Sequence, residues 1–327
     1  MAGLGLTIHM QPVSRANAGS RFPLVSVLIP CYNAEKWIRE SIQSALDQSY
    51  PNKEVIVADD GSTDGSAGVI RSFGDRIRFH LSSHAGGNAT RNALTQLARG
   101  GWLQYLDADD YLLPRKIESQ MASVQQVDPA VVYSPVIRFD QTANQLDELG
   151  KLEDDEYLAL IRWGGINTGG LLLRRDAVLD VGGWNPGQKC CQEHELLLRL
   201  RLAENRFHLQ DEALAVYRIH SSATVSREDP LLTIRTRMEL TDRLADHLES
   251  LGEMTRIRKD ALFAARMECA RTAFGLDPNA AKGFSQKACA LGRIWVTDSP
   301  ALPFGYQLAL RVAGFANAER LAKLLRR

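Results

Sequence analysis

Across 327 residues, 39 lysines and arginines balance 39 aspartates and glutamates, which excludes a global field for nucleic acid and makes any charge-based function local. Five cysteines, Cys31, Cys190, Cys191, Cys269 and Cys289, lack paired spacing, so a disulfide framework is not expected and a reducing, cytoplasmic setting is. No run of about 18 uncharged apolar residues argues for a spanning helix, and residues 1–22, without the apolar stretch of a secretory signal, read as a loose tail.

From residue 24, LVSVLIP is rich in branched aliphatics and predicts a strand buried on both faces. Asn33 is expected to cap a helix whose Trp37, Ile38, Ile42, Ala45 and Leu46 keep helical spacing. KEVIVADDGSTDGS repeats the scheme, with Asp59 and Asp60 at the end of an apolar run and a Gly/Ser turn after them. A short helix in AGVIRSFG, a strand in IRFHLS and a glycine-opened helix in GGNATRNALTQLARGG follow, and WLQYL then delivers Asp107, Asp109 and Asp110. Alternating units of this kind predict an α/β sandwich with a mostly parallel central sheet. Ligands of such sheets lie beyond the carboxyl ends of the strands. Three polar clusters fall there: Cys31-Tyr32-Asn33, Asp59-Asp60 and residues 107–110. Carboxylates this close repel one another, which favours proton uptake or a bound cation. A hard divalent ion that also holds substrate phosphates would relieve the crowding.

Beyond residue 115 the pattern predicts a helix near 115–126, one strand in AVVYSPVIRF, and a solvated face or helix start in DELGKLEDDEYLALI. NTGGLLLRRDAVLDVGGW reads as strand, helix and Gly-Gly turn, CQEHELLLRLRLAENR as a helix, and EALAVYRIH as a final strand. The adjacent Cys190 and Cys191 are read as ordinary packing. Residues 231–327 are helical by pattern, with 16 basic side chains to 10 acidic. There Phe304, Leu308, Val312, Phe315, Ala318, Ala322 and Leu325 form one stripe flanked by Arg320, Lys323, Arg326 and Arg327. Two readings stand for it: a helix packed on its own domain, or one lying on an anionic membrane surface. The expected division is a tail over 1–22, an α/β domain over 23–228 and a helical region over 229–327.

VSVLIPCYNAEKWIRESIQSALDQSYPNKEVIVADDGSTDGS resembles the amino-terminal signature of glycosyltransferase family 2, the inverting enzymes of the GT-A fold. ATRNALTQLARGGWLQYLDADD resembles its continuation to the D-x-D motif, and the likeness covers about residues 24–225. It implies a GT-A, Rossmann-like three-layer sandwich with a C-terminal helical extension. It also implies metal-dependent transfer, with inversion, from a nucleoside diphosphate sugar, with UDP the expected nucleotide. The hydroxyl acceptor would be a glycan or lipid-linked, in cell-surface polysaccharide, lipopolysaccharide or glycolipid synthesis at the inner membrane surface.

Carried over residue by residue, the resemblance puts Pro30, Cys31 and Tyr32 against the base and Asp59 and Asp60 near uridine, where a carboxylate accepts from N3–H. DDGSTDG is equally good as a turn. Arg91 would lie near the nucleotide or diphosphate, whose geometry a guanidinium matches. Asp107, Ala108 and Asp109 match the D-x-D, with Asp109 on Mg2+ or Mn2+. His220, in the Y-R-x-H element, would approach that metal or the diphosphate. QEHELLLRL resembles the family's E-D-x-E-L-x-L-R-L, which makes Glu193 the base for the acceptor hydroxyl, with Glu195 as the alternative. Gln192 departs from the usual acid, and acids in a first helical turn also favour the dipole without catalytic work. Thr168, Gly169 and Gly170 match an acceptor-side strand, although small residues equally suit tight packing. Trp184 would either stack on a sugar ring or fill the core. Two alternatives stand beside the transferase. One is a sugar-nucleotide or glycan-binding protein that has lost its base. The other is a haloacid-dehalogenase-like phosphotransferase, against which Tyr111 sits where that family has threonine.

Overall fold

The computed structural model describes residues 22–149, 153–164, 166–220, 229–292, 295, 296, 299 and 302–325. The expected loose tail lies outside these residues apart from Phe22, as do Arg326 and Arg327. Strand β1 (Val25–Cys31) is the centre of the amino-terminal half, pairing in parallel with β2 (Lys53–Asp60) on one side and β4 (Trp102–Tyr105) on the other. β3 (Arg78–Ser82) extends the sheet beyond β2, again in parallel. Alternate side chains of β1 feed different layers: Val25, Val27 and Ile29 pack with Ile38 and Ile42, whereas Leu28 packs with Ile56 and Tyr105. Every residue of β1 except Pro30 is buried, as a sheet covered on both faces requires.

Beyond β4 the sheet changes direction. β9 (Leu171–Arg174) runs antiparallel between β4 and β6 (Val131–Tyr133), and β10 (Phe207–Leu209) closes the far edge, giving the seven-stranded order β10-β6-β9-β4-β1-β2-β3. AVVYSPVIRF, expected as one strand, breaks at Ser134-Pro135. Its first half is β6, and its second half is β7 (Val136–Asp140) of a separate four-stranded sheet ordered β5-β11-β7-β8. The acidic segment is likewise not all helix start: Gln145–Leu149 is β8, paired antiparallel with β7. Asp155 caps the helix that follows, α5 (Glu156–Arg162), accepting from the Tyr157 and Leu158 amides. The remaining members of the small sheet are β5 (Tyr111–Leu112) and β11 (Ala215–Ile219).

Helix α1 (Ile38–Leu46) buries Ile38, Ser41, Ile42 and Ala45. Asn33 is not its cap. It sits in the left-handed region at φ 50° and its side-chain Oδ1 accepts from the Thr63 amide at 2.8 Å, tying the β1 and β2 loops together. After α2 (Ser66–Arg71), the elements that matter for the site are α3 (Gly87–Leu97) and α7 (Gln192–Leu202), with α4 (Lys116–Val127) and α6 (Arg175–Asp180) between them in the chain.

The carboxyl-terminal region is helical throughout its described residues: α8 (Pro230–Ser250), α9 (Arg256–Ala273), α10 (Pro278–Ala290) and α11 (Phe304–Leu325). Asp229, Thr255 and Asp277 cap α8, α9 and α10, and proline opens α8 and α10 where its missing N–H costs nothing. These helices share one core with the sheet, since Leu244, Leu262 and Ala318 join Leu28, Tyr105 and Leu197. Arg258 adds an ion pair to Asp155 at 3.0 Å. The expected single stripe on α11 is interrupted. Gly314, at φ 75° and ψ 170°, breaks the helix, so Phe315 and Ala318 pack inward whereas Phe304, Leu308 and Val312 are exposed. Among the described residues no helix is long and apolar enough to cross a membrane.

Candidate active site

Because β1, β2 and β4 run in parallel, their carboxyl ends open on one edge of the sheet, where a cleft of about 700 Å³ lies. Tyr32, just past β1, is 48% exposed and stacks on His84, with ring centroids 4.2 Å apart and planes at 30°. The His84 imidazole reaches Asp60 Oδ2 at 3.0 Å, and Asp60 accepts from the Ala85 and Gly86 amides at 2.8 and 2.9 Å. The result is an aromatic shelf whose loop is anchored by one carboxylate. Strand alternation sends successive side chains to opposite faces, so Asp59 and Asp60 cannot both face the cleft. Asp60 lines it; Asp59 is fully buried and accepts from the Ser62 amide. Pro30 borders the cleft. Cys31 borders it too, but with its thiol buried, and burial, followed by a hydrogen bond from Ser66 that works the other way, leaves its pKa raised to about 11.

Arg91 is the hub of the wall formed by α3. A lone arginine on a helix is ordinarily exposed, but this one is buried. Its Nη2 donates to Asp107 Oδ1 at 2.7 Å, and its Nη1 donates to Gln192 Oε1 at 2.9 Å and Asn88 Oδ1 at 3.2 Å. The guanidinium lies 4.8 Å from the Trp184 ring centroid. Burial works against its charge, but Asp107 and then Glu193 outweigh it and raise the pKa further. Gln192 therefore has a visible role where the family motif has an acid: a neutral acceptor that holds Arg91 without taking up its charge.

The acidic turn after β4 divides its three carboxylates among three partners. Asp107 meets Arg91, and Asp109 Oδ2 meets His220 Nε2 at 2.9 Å. Asp110 is buried and accepts from the Arg218 amide at 2.8 Å; burial, then Asp109 and Asp107, push its pKa well above the usual carboxylate range. His220 is held flat against Trp37, with centroids 4.3 Å apart. Among the described residues no group of three His, Cys, Asp or Glu side chains is placed to hold a metal ion. Asp109 and His220, together on the cleft wall, offer one carboxylate oxygen and one imidazole nitrogen. That donor set fits an ion completing its shell with water and a substrate's phosphates.

Across the cleft, α7 begins at Cys191, which is in the left-handed region at φ 56°. This start projects Gln192 and Glu193 into the cleft. Thr168 Oγ1 donates to Glu193 Oε1 at 2.6 Å, fixing the longer arm of the glutamate. Glu195 cannot serve in its place, because it is buried and bound to Arg199 through both oxygens, at 2.8 and 2.7 Å. The Cys190 and Cys191 thiols face Thr236 and the Thr233 carbonyl on α8, in keeping with packing.

Between the two acids, His194 is buried and stacks on Trp163 at 3.8 Å with planes 5° apart. Burial, reinforced by Arg237, pushes its pKa down to about 3 from 6.5. The unfolded chain takes up this proton near pH 6.5 and the folded chain only near pH 3, so stability is lost as pH falls through that window. The contribution is about 1.4 kcal/mol per pH unit. Urea unfolding between pH 4 and 6.5 is expected to show that slope reduced by one proton in His194→Phe; equal slopes in both proteins would refute the assignment.

Four residues expected on the acceptor side do not reach the cleft surface. Trp184 is 1% exposed, edge-on to Tyr105 at 5.1 Å, and fills the core beneath Arg91. Gly169 and Gly170 are buried, and a Cβ on Gly170 would stand 2.6 Å from the Ser134 carbonyl oxygen, so these glycines serve the close approach of β9 to its neighbour. Thr168 is fully buried as well and acts on the cleft through Glu193. Ile166 and Asn167 line that wall instead. Sequence reasoning also missed His84 and Trp37 as site residues. The only signal for either was its place in a strand-end loop.

Residues 26–180 match the family described as Glycosyl transferase family 2. That match takes in just under half of the chain. Among similar proteins, an uncharacterized glycosyltransferase of Haemophilus influenzae is 31% identical over 160 residues, covering 48% of this chain and 64% of that one. A Bacillus subtilis glycosyltransferase, TuaG, named provisionally for teichuronic acid biosynthesis, is 33% identical over 130 residues, covering 38% of this chain and 52% of its own length. The aligned region thus spans less than two thirds of either relative. The fold is that of S. aureus TarS residues 1–349, solved in complex with UDP-GlcNAc. The TM-score is 0.61 at 15% identity, with 92% of this chain and 91% of that one covered. At that coverage the GT-A likeness takes in the helical region as well as the sheet.

Proposed function

We propose that this protein transfers a sugar from a nucleoside diphosphate donor, a UDP-sugar, to a hydroxyl of a glycan or lipid-linked acceptor in cell-surface polysaccharide synthesis, with inversion. One observation carries the reading: Arg91 on α3, Asp109 after β4 and Glu193 on α7, far apart in the chain, open on one cleft at the strand ends. The Tyr32–His84 shelf suits a nucleobase. Arg91 supplies a buried cation for the diphosphate, since a desolvated guanidinium binds phosphate oxygens strongly. Asp109 and His220 would hold Mg2+ or Mn2+, which supplies charge neutralisation for the departing diphosphate. Glu193 takes the acceptor hydroxyl's proton. Thr168 occupies Oε1 and keeps the carboxylate oriented, leaving Oε2 to receive it. The cell-surface destination draws on the B. subtilis relative's name, and the UDP donor on the ligand of TarS.

Nucleotide release from a panel of UDP-, GDP- and dTDP-sugars, with Mn2+ or Mg2+ and again with EDTA, tests this. Release from one donor, dependent on metal and reduced about a hundredfold or more in Asp109→Ala, is the expected result. Release that ignores both EDTA and the substitution would remove the metal from the reaction. Absence of both nucleotide release and donor binding by calorimetry would sink the transferase reading itself.

A further inference from the structure

We propose that the outer face of α11, with the Trp295–Phe304 ring pair at its edge, docks on an anionic lipid bilayer. Phe304, Leu308 and Val312 recur every four residues and so share one helix face, and they are 71%, 49% and 80% exposed. Beyond the Gly314 break, Leu321, Leu324 and Leu325 are exposed in the same way. Folding has therefore left six large apolar side chains of one helix in water while burying Tyr306, Gln307 and Ala318 behind them.

The flanking chemistry selects the occupant. Arg311 lies 3.6 Å over the Trp295 ring, and Trp295 stacks on Phe304 at 5.3 Å. An aromatic pair beside a cation at the border of an apolar strip is the arrangement that suits a headgroup layer. Arg320 and Lys323 are exposed beside the second leucine group. Glu319, the one acid of the described helix, is committed to Arg271 at 2.9 Å, with both side chains largely buried. The exposed charge of α11 is thus of one sign. A second copy seated symmetrically on this face would set those cations against themselves, because a two-fold interface brings the same patch to both sides. A bilayer carrying anionic headgroups offers the complement, with each basic residue near its surface contributing about fivefold to binding.

Flotation of the full chain with phosphatidylcholine vesicles, with and without phosphatidylglycerol, reads this directly and does not involve turnover. Failure here therefore leaves the transferase reading untouched. Binding to the anionic vesicles alone, weakened by salt, is expected. The pair Leu308→Asp and Val312→Asp abolishes it, and the pair Arg320→Glu and Lys323→Glu lowers it at least about twentyfold, at about fivefold per residue. All four side chains are exposed, so the thermal midpoint and donor hydrolysis without vesicles stay unchanged in both variants. The proposal is overturned if the wild-type chain does not bind, or if both variants float as it does. It is equally overturned if the aspartate pair only converts an oligomer to a monomer in light scattering while flotation persists.

Discussion

Glu193→Gln is expected to lower kcat about a thousandfold while donor affinity stays nearly unchanged, because the amide cannot accept the acceptor's proton. The substitution is close to isosteric and its carbonyl oxygen can still accept from Thr168, so the fold and the cleft wall should survive it. Glu195→Gln gives the opposite profile. It leaves the Arg199 guanidinium without its carboxylate in a largely buried pair, so stability falls first and turnover follows only through folding. Steady-state kinetics paired with isothermal titration of the donor separate the two. Full turnover in Glu193→Gln would remove Glu193 from the mechanism and move the base elsewhere.

Trp184→Ala is expected to cost about 3–5 kcal/mol of stability, the range for truncating a large buried aromatic. The indole is packed on Tyr105 and lies under Arg91, and its backbone N–H donates to Asn92 Oδ1 at 2.8 Å. Removing the ring leaves a cavity and takes away the floor on which the Arg91 guanidinium rests. Trp184→Phe, which keeps a ring in that space, should recover most of the loss. Urea midpoints measure the first effect, and the donor KM reads any disturbance of Arg91. If Trp184→Ala kept full stability and raised only the KM for donor or acceptor, the ring would belong to a sugar subsite and its assignment to the core would be wrong.

The parallel sheet was legible because its cause is local: unbroken apolar runs such as VLI and VIVA suit a strand covered on both faces, and glycine turns separate them. The break at Ser134-Pro135 was not, since VVYSPVIRF is apolar on both sides of it and only the sheet each half joins tells them apart. β8 was hidden for a related reason. Its acids suit a solvated surface equally well in a strand or a helix, and pairing with β7 decides it. On α11 the apolar spacing continues past Gly314, but the break there sets Phe315 and Ala318 of that stripe against the core while Phe304, Leu308 and Val312 stay exposed.

By itself, then, the sequence determined the α/β class, the acids at the strand ends, and the likeness to glycosyltransferase family 2, all of which depend on residues near one another in the chain. Tertiary structure alone decided which of those side chains reach the cleft. Asp59 and Asp60 are adjacent, yet alternation and the register with β1 give only Asp60 to the cleft. Arg91 became a buried hub because Asp107 and Gln192, 16 and 101 residues away, came to meet it. His220 found Asp109 across 111 residues, and Glu193 was fixed by Thr168 across 25. A buried charge needs its partner at contact distance to offset desolvation, and that distance is set by strand order and helix packing, which spacing along the chain does not encode.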